Sequence, residues 1–255
     1  MEHFSINLSP AEMNNRSYEI GVKKTSNNPR TTRLLAFMAG AFIALAAIIN
    51  ARVNAVLSPS IAPFLGAFMF NMGLMLVIIA GGELFTGNIL LFGGFLDKRY
   101  GVKPLLTNWV RVYFWNLLGG FFIAAVNHYL VAPDPDVAQI LTSSIQSKVA
   151  LSFVECLGMG FMCNILVCLG VWVSFSADDG ISKFALMGVP IIAFILLKYE
   201  HSVANMFYFS FGVLESTCPL TFAQILKNMI PVTIGNILGG MFIASVYHFA
   251  FKKNK

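Results

Sequence analysis

Seven polar side chains lie where an otherwise apolar chain gives them no water. Glu83, Thr86 and Asn88 interrupt one long hydrophobic run, and Lys198, Glu200, His201 and Asn205 interrupt another. Ionisable groups inside such runs are expensive in hydrocarbon, so they mark pathways or relays by default. His201 is suited to proton transfer near neutrality, since a free imidazole titrates at a pKa of about 6.5; it can equally stay neutral and hold backbone groups of an interrupted helix. Glu83 and Glu200 share a Glu-x4-Asn frame that ends at Asn88 and Asn205. The shared frame predicts a shared structural job, capping exposed N–H groups at a helix start. Lys198 is placed to neutralise Glu200 or to reach an interface. Asn164 and Asn236 lie in two other apolar runs, where an amide either bonds across helices or offers its N–H groups to a permeant. The pore-facing role is the expectation for both.

The elements that must position these residues follow from composition and run length. Of 255 residues, 57% are hydrophobic and 11% charged, and the mean hydropathy is +0.73. A soluble domain carries roughly a quarter charged residues. A soluble enzyme, a disordered chain and a disulfide scaffold are therefore excluded, and an all-α polytopic membrane protein is predicted. The net charge of +5 is read as facing anionic lipid, not nucleic acid. The four cysteines have no metal-ligand spacing, and no metal or cofactor is expected. A span needs ~20 apolar residues. Six runs qualify: 34–55, 62–96, 105–131, 149–175, 184–214 and 229–251. The second would be ~50 Å long as one helix, too long for a ~30 Å crossing, so the second and fifth are predicted to be broken at 81–88 and 198–205. Residues 1–33 are polar and lack the apolar core of a secretory signal. Ser9-Pro10-Ala11-Glu12 reads as a capping box with proline at the first helical position. It predicts a helix over 10–24 at the membrane surface or against a neighbouring subunit.

Residues 112–129 and 232–249 align without gaps, with ten of eighteen positions identical at an offset of 120. The Glu-x4-Asn frames repeat at 117, and Gly40-Ala41-Phe42 matches Met159-Gly160-Phe161 at 119. A duplicated three-helix unit is implied, and because three is odd the second copy must enter from the opposite side. The predicted organisation is a cytoplasmic segment over 1–33, a pore domain over 34–251 with repeats at 34–131 and 149–251, and a basic tail over 252–255. The predicted inside segments hold twelve Lys and Arg residues and the outside segments three, which puts both termini in the cytoplasm. Gly119-Gly120 and Gly239-Gly240 are read as close helix contacts, and His128 and His248 as ordinary residues of span ends.

Ser9-Pro10-Ala11-Glu12-Met13, Glu83-Leu84-Phe85-Thr86, Glu200-His201-x-x-Ala204-Asn205-Met206 and Pro231-Val232-x-Ile234-Gly235-Asn236 together resemble the formate/nitrite transporter family over essentially the whole chain. The resemblance implies an aquaporin-like protomer in an inner-membrane homopentamer, passing small monovalent anions such as formate, nitrite or hydrosulfide. It makes His201 the pore histidine and Thr86 the hydroxyl of the second-span break. Phe70, Leu74, Leu84, Phe85, Val167 and Phe194 fall at hydrophobic constrictions, Asn164 and Asn236 at pore-facing amides, and Lys148 at a vestibule lysine. The family's second basic residue aligns with Thr31, beside Arg30 and Arg33. Overall similarity leans towards the hydrosulfide branch.

The expected mechanism draws anions to basic vestibules and opposes the bare ion at apolar rings. It lets a permeant near His201 accept a proton where the path is driest. A water or glycerol channel would need Asn-Pro-Ala at the breaks, and the sequence has none. An intramembrane metalloenzyme using Glu83, Glu200 and His201 lacks any second histidine at ligand spacing.

Overall fold

The structure is a computed structural model, and it describes residues 8–252; residues 1–7 of the N-terminal segment and Lys253 and Lys255 of the basic tail lie outside the described residues. The described part is helical throughout. α1 (Pro10–Ser26) starts at the foreseen capping box: the Ser9 N–H donates to Glu12 Oε2 at 2.8 Å, and the Glu12 N–H donates to Ser9 Oγ. The same contacts with Ser9 hold the Glu12 carboxyl below its ordinary pKa. The helix runs two residues beyond the expected end. It buries Met13, Asn14, Ser17, Tyr18 and Gly21 against its own chain. The Tyr18 hydroxyl accepts from Asn14 Nδ2 at 2.9 Å and pairs with His248 Nδ1 at 2.8 Å. His248, read from sequence as an ordinary span-end residue, is thus buried as the anchor of α1.

α2 (Pro29–Val56) leads to the first interrupted segment. α3 (Ala62–Ile79) stops, Gly81 turns the chain left-handed at φ +84°, and α4 (Phe85–Asn88) and α5 (Leu91–Leu96) resume in short pieces. α6 (Val102–Val126) continues through a wider π-helical turn over Asn127–Val131. α7 (Pro135–Ala150) follows and was not foreseen, although Asp134 before Pro135 carries the same cap-then-proline signal as α1. α8 (Phe153–Ser174) has its own capping box, made by Ser152 and Glu155. The second interruption separates α9 (Gly180–Leu196) from α10 (Ser202–Leu214), and here Lys198 takes the left-handed position at φ +54°. That conformation suits glycine; a lysine holding it is strained by roughly 1 kcal/mol or more. α11 (Phe222–Phe251) begins seven residues before the expected start at 229, at a Thr221–Gln224 capping box. Five helices, α2, α3, α6, α8 and α11, are long and apolar enough to cross a membrane.

Two helix pairs pack the most closely, α2 on α6 and α8 on α11. Glycines set both approaches. A Cβ on Gly119 would strike the Phe37 carbonyl oxygen, and a Cβ on Gly239 would strike that of Phe161. Small residues allow such backbone approach where water cannot drive association. Gly119→Val or Gly239→Val is expected to overpack by about 1–3 kcal/mol. That lowers the unfolding temperature of the purified protein by roughly 2–12 °C, which a thermal melt in detergent measures.

Candidate functional site

Where a helix stops inside a packed, apolar body, its free N–H and C=O groups need partners. Two asparagines supply them in matching fashion. At the first break, Asn116 accepts from the Phe85 N–H at 2.9 Å and donates to the carbonyls of Ala36 at 2.7 Å and Glu83 at 2.9 Å. At the second, Asn236 accepts from the Ser202 N–H at 2.8 Å and donates to the carbonyls of Gly160 at 2.8 Å and Glu200 at 3.0 Å. The pore-facing expectation for Asn236 is therefore corrected: its amide is spent on backbone at the break. Asn164 is bound in part. It donates to the carbonyls of Thr86 at 3.2 Å and Asn236 at 2.6 Å, and its Oδ1 is buried without a partner.

Glu83 and Glu200 do not cap N–H groups as expected; each receives a lysine and an asparagine. Glu83 takes Lys24 Nζ at 3.2 Å and Asn88 Nδ2 at 2.6 Å, and Asn88 also reaches Asn108 at 3.0 Å. Glu200 takes Lys148 Nζ at 2.8 Å and Asn205 Nδ2 at 2.7 Å, and Asn205 also reaches Asn228 at 2.8 Å. Asn108 and Asn228 close each ring by donating to the Lys24 and Lys148 carbonyls. Lys198, offered as the neutraliser of Glu200, is exposed instead. Lys148 lies in the last turn of α7, and its charge faces Glu200. Its counterpart is Lys24, not Thr31. Sequence reasoning missed Lys24, Asn108 and Asn228. The two asparagines were within reach, because the 120-residue offset continues just upstream of the aligned window. Lys24 and Lys148 differ by 124 and break that register.

The two breaks meet at a single polar contact. Thr86 Oγ1 lies 2.8 Å from His201 Nε2, and both side chains are buried. His201 is also the N-cap of α10, where Nδ1 accepts the Ala204 N–H at 3.0 Å. Because Nδ1 is an acceptor, the imidazole is neutral with its proton on Nε2, and it donates to Thr86. The Thr86 hydroxyl proton is then left unused. The Thr86 carbonyl is held from α8 by Asn164 and by Cys168 Sγ at 3.4 Å.

Apolar side chains enclose this contact. Phe194 stacks on His201 with ring centroids 5.8 Å apart, and Phe70 meets Phe194 edge-on at 6.0 Å. Leu74, Leu84, Phe85 and Val167 are also buried, with Phe85 packed edge-on against Tyr113 at 4.8 Å. A cavity of about 410 Å³ opens on one side between α1 and the first break. Leu74 and Leu84 form part of its wall, and Arg16, Lys23, Lys24 and Lys183 give it a basic rim.

An all-helical body with long apolar spans, two interrupted helices and a dry polar contact between the breaks defines a multi-pass membrane channel or transporter. Comparison with known proteins supplies the family. The formate/nitrite transporter profile matches residues 11–250. The formate channel BtFdhC of Bacillus thuringiensis is 34% identical, with 92% of each chain covered. Among solved structures, an FNT family ion channel superposes with a TM-score of 0.87 at 29% identity, covering 94% of this chain and 98% of the other. A pentameric formate channel with formate bound gives 0.76 at 30% identity, covering 89% and 98%. The chain belongs to the formate/nitrite transporter family.

The lysine–glutamate pairs make a sharp stability prediction. Removing one partner of a buried pair leaves an uncompensated charge and costs about 3–5 kcal/mol, whereas replacing both by apolar residues is close to neutral. Lys148→Met is thus expected to destabilise the protein strongly, and Lys148→Met combined with Glu200→Gln, which removes the stranded charge and keeps an acceptor for Asn205 and Asn228, to recover most of the loss. Chemical unfolding of both variants measures the difference.

Proposed function

We propose that the chain is a channel for small monovalent anions of weak acids, formate, hydrosulfide or nitrite, with Thr86 and His201 as the central binding contact. The observation that carries this reading is the buried Thr86–His201 pair. Its hydroxyl proton is free to donate, and it lies among apolar walls beyond a basic vestibule. A hydrogen-bond donor in a dry site holds an anion without fixing it by a full opposite charge. The relatives named formate channels favour formate; the lean towards hydrosulfide rests on overall similarity alone.

In this reading six crossings arise from α2, from α3 with α4 and α5, from α6, from α8, from α9 with α10, and from α11. They form an inverted repeat, and the matching lysine–glutamate–asparagine rings support it. α1 and α7 extend the repeats beyond 34–131 and 149–251, since each contributes the lysine of its ring. Both termini lie in the cytoplasm of a cell whose inner membrane holds the protein, and protomers assemble as pentamers with one path each. Phe70, Phe194 and Val167 close one side of the central contact, and Leu74, Leu84 and Phe85 the other. Asn164 steadies the Thr86 carbonyl, while Lys148 and Lys24 neutralise the glutamates behind the breaks, and Lys23 and Lys183 lend positive potential to the mouth beside α1.

Proton exchange at His201 would put a hydrogen on Nδ1, which faces the Ala204 N–H. The α10 cap would then be lost, so the imidazole serves as a fixed neutral donor and the permeant takes any proton it needs from water. Two measurements in proteoliposomes test this, with formate, hydrosulfide, nitrite and chloride compared. Thr86→Val removes a bond to a charged partner worth about 1.5–3 kcal/mol, so weak-acid flux is expected to fall roughly 10- to 100-fold. Across about pH 5–8, where a free histidine titrates, His201→Asn is expected to lower flux while keeping the shape of its pH profile. A profile that flattens would assign the proton to the imidazole, and chloride passing as well as the weak acids would remove the proposed class.

A further inference from the structure

Arg111 has no role in the site just described, yet it lies nine residues into the apolar helix α6. At the helical rise that is roughly 13 Å from the start of α6. Its guanidinium makes no hydrogen bond or ion pair among the described residues, whereas Arg52, inside α2, is paired with Asp134. The side chain is half-buried at the protomer surface, beside the exposed apolar stripe Leu106, Val110 and Phe114. Lys103 and Thr107, both exposed, precede it at four-residue intervals. Residues four apart share a helix face, so the three form one polar seam running from the charged end of α6 into the apolar zone.

Such a group needs an acceptor. A second copy of this chain offers no free carboxylate at that depth: away from helix ends, the acidic residues in the described apolar segments are Glu83 and Glu200, each closed in with a lysine. Helical side chains lean towards the N-terminus. Arg111 therefore points back along the seam towards Lys103 and the lipid headgroup layer, the direction in which a long basic side chain escapes hydrocarbon.

We propose that Lys103, Thr107 and Arg111 form a binding site for the phosphate of an anionic phospholipid in the leaflet at the start of α6. Arg111 clasps the phosphate with its planar fork, Lys103 adds a second charge, and Leu106, Val110 and Phe114 receive the acyl chains. The proposal rests on α6 crossing the bilayer, as in the function proposed above, but on no particular permeant.

The test titrates the purified full-length protein in detergent with phosphatidylglycerol or phosphatidylcholine and reads bound lipid by native mass spectrometry. Wild type is expected to prefer phosphatidylglycerol. Arg111→Leu, which suits an apolar face, is expected to lower that affinity about tenfold and to lower phosphatidylcholine binding less, because its choline already balances the phosphate. Lys103→Gln should give a smaller loss of the same kind, and millimolar inorganic phosphate should not displace the lipid. Unchanged phosphatidylglycerol binding in Arg111→Leu overturns the proposal. So does displacement by inorganic phosphate, which would make the seam a free-anion site. Dissociation of the Arg111→Leu assembly at equal bound lipid also overturns it, because the guanidinium would then serve a neighbouring subunit. Failure of weak-acid flux in the wild type would sink the functional reading and leave this binding result standing.

Discussion

The structure depends on satisfying peptide groups where two helices stop in an environment with no water. An unpaired buried amide costs about 1–3 kcal/mol, and each break strands several. Asn116 and Asn236 answer that cost with one amide apiece, tying three backbone groups together from a neighbouring helix. Their side chains reach because Gly40 and Gly160 bring the facing helices into backbone contact: a Cβ on Gly40 would strike the Asn116 backbone, and one on Gly160 would lie 2.7 Å from the Val232 carbonyl oxygen. Close packing and backbone satisfaction are thus one requirement. The glycines have no value here without the asparagines, and the asparagines cannot span a wider gap.

Burying two carboxylates beside those breaks adds a second cost, and its solution fixes where α1 and α7 must lie. Isolated ionised groups are not tolerated in such surroundings. Lys24 and Lys148 arrive from helices outside the apolar spans and close rings with Asn88, Asn108, Asn205 and Asn228, in which Asn88 Oδ1 accepts from Lys24 while Asn205 Oδ1 is left without a partner. The N-terminal helix is therefore a structural member of the first half. Its placement is reinforced by the Tyr18–His248 contact and by Gly93, where a Cβ would meet the Tyr18 ring at 3.1 Å.

Sequence alone carried the architecture further than the chemistry. The all-helical membrane class, the two interruptions and the α1 capping box were legible because each rests on local composition or on a fixed spacing. Partners that lie far apart in the chain were not. Glu83 carries no mark that its partner is Lys24, since a lysine in a polar amphipathic stretch reads as a solvated charge until the helix is seen to dock. Asn236 was read as lining a path because an amide at apolar depth can serve a permeant or a peptide group equally well, and only geometry separates the two. α7 was passed over for a third reason: its faces are mixed, its length is short of a span, and its function is to place Lys148.

The two halves share their scaffold and differ where the breaks face each other. At the 117-residue offset that relates Glu83 to Glu200, His201 falls opposite Leu84 and Thr86 falls opposite Val203. Each half thus gives one polar residue to the centre, at a different step of its break. A strictly symmetric centre would offer either two histidines and two valines with no hydroxyl, or two leucines and two threonines with nothing to orient them. The difference also shows at the helix starts. His201 caps α10 through Nδ1. Leu84 has no side-chain acceptor to offer, and α4 starts without a side-chain cap. The imidazole that starts α10 is by the same bond held neutral, with its proton turned towards Thr86, so the cap and the orientation of the imidazole are set by one hydrogen bond.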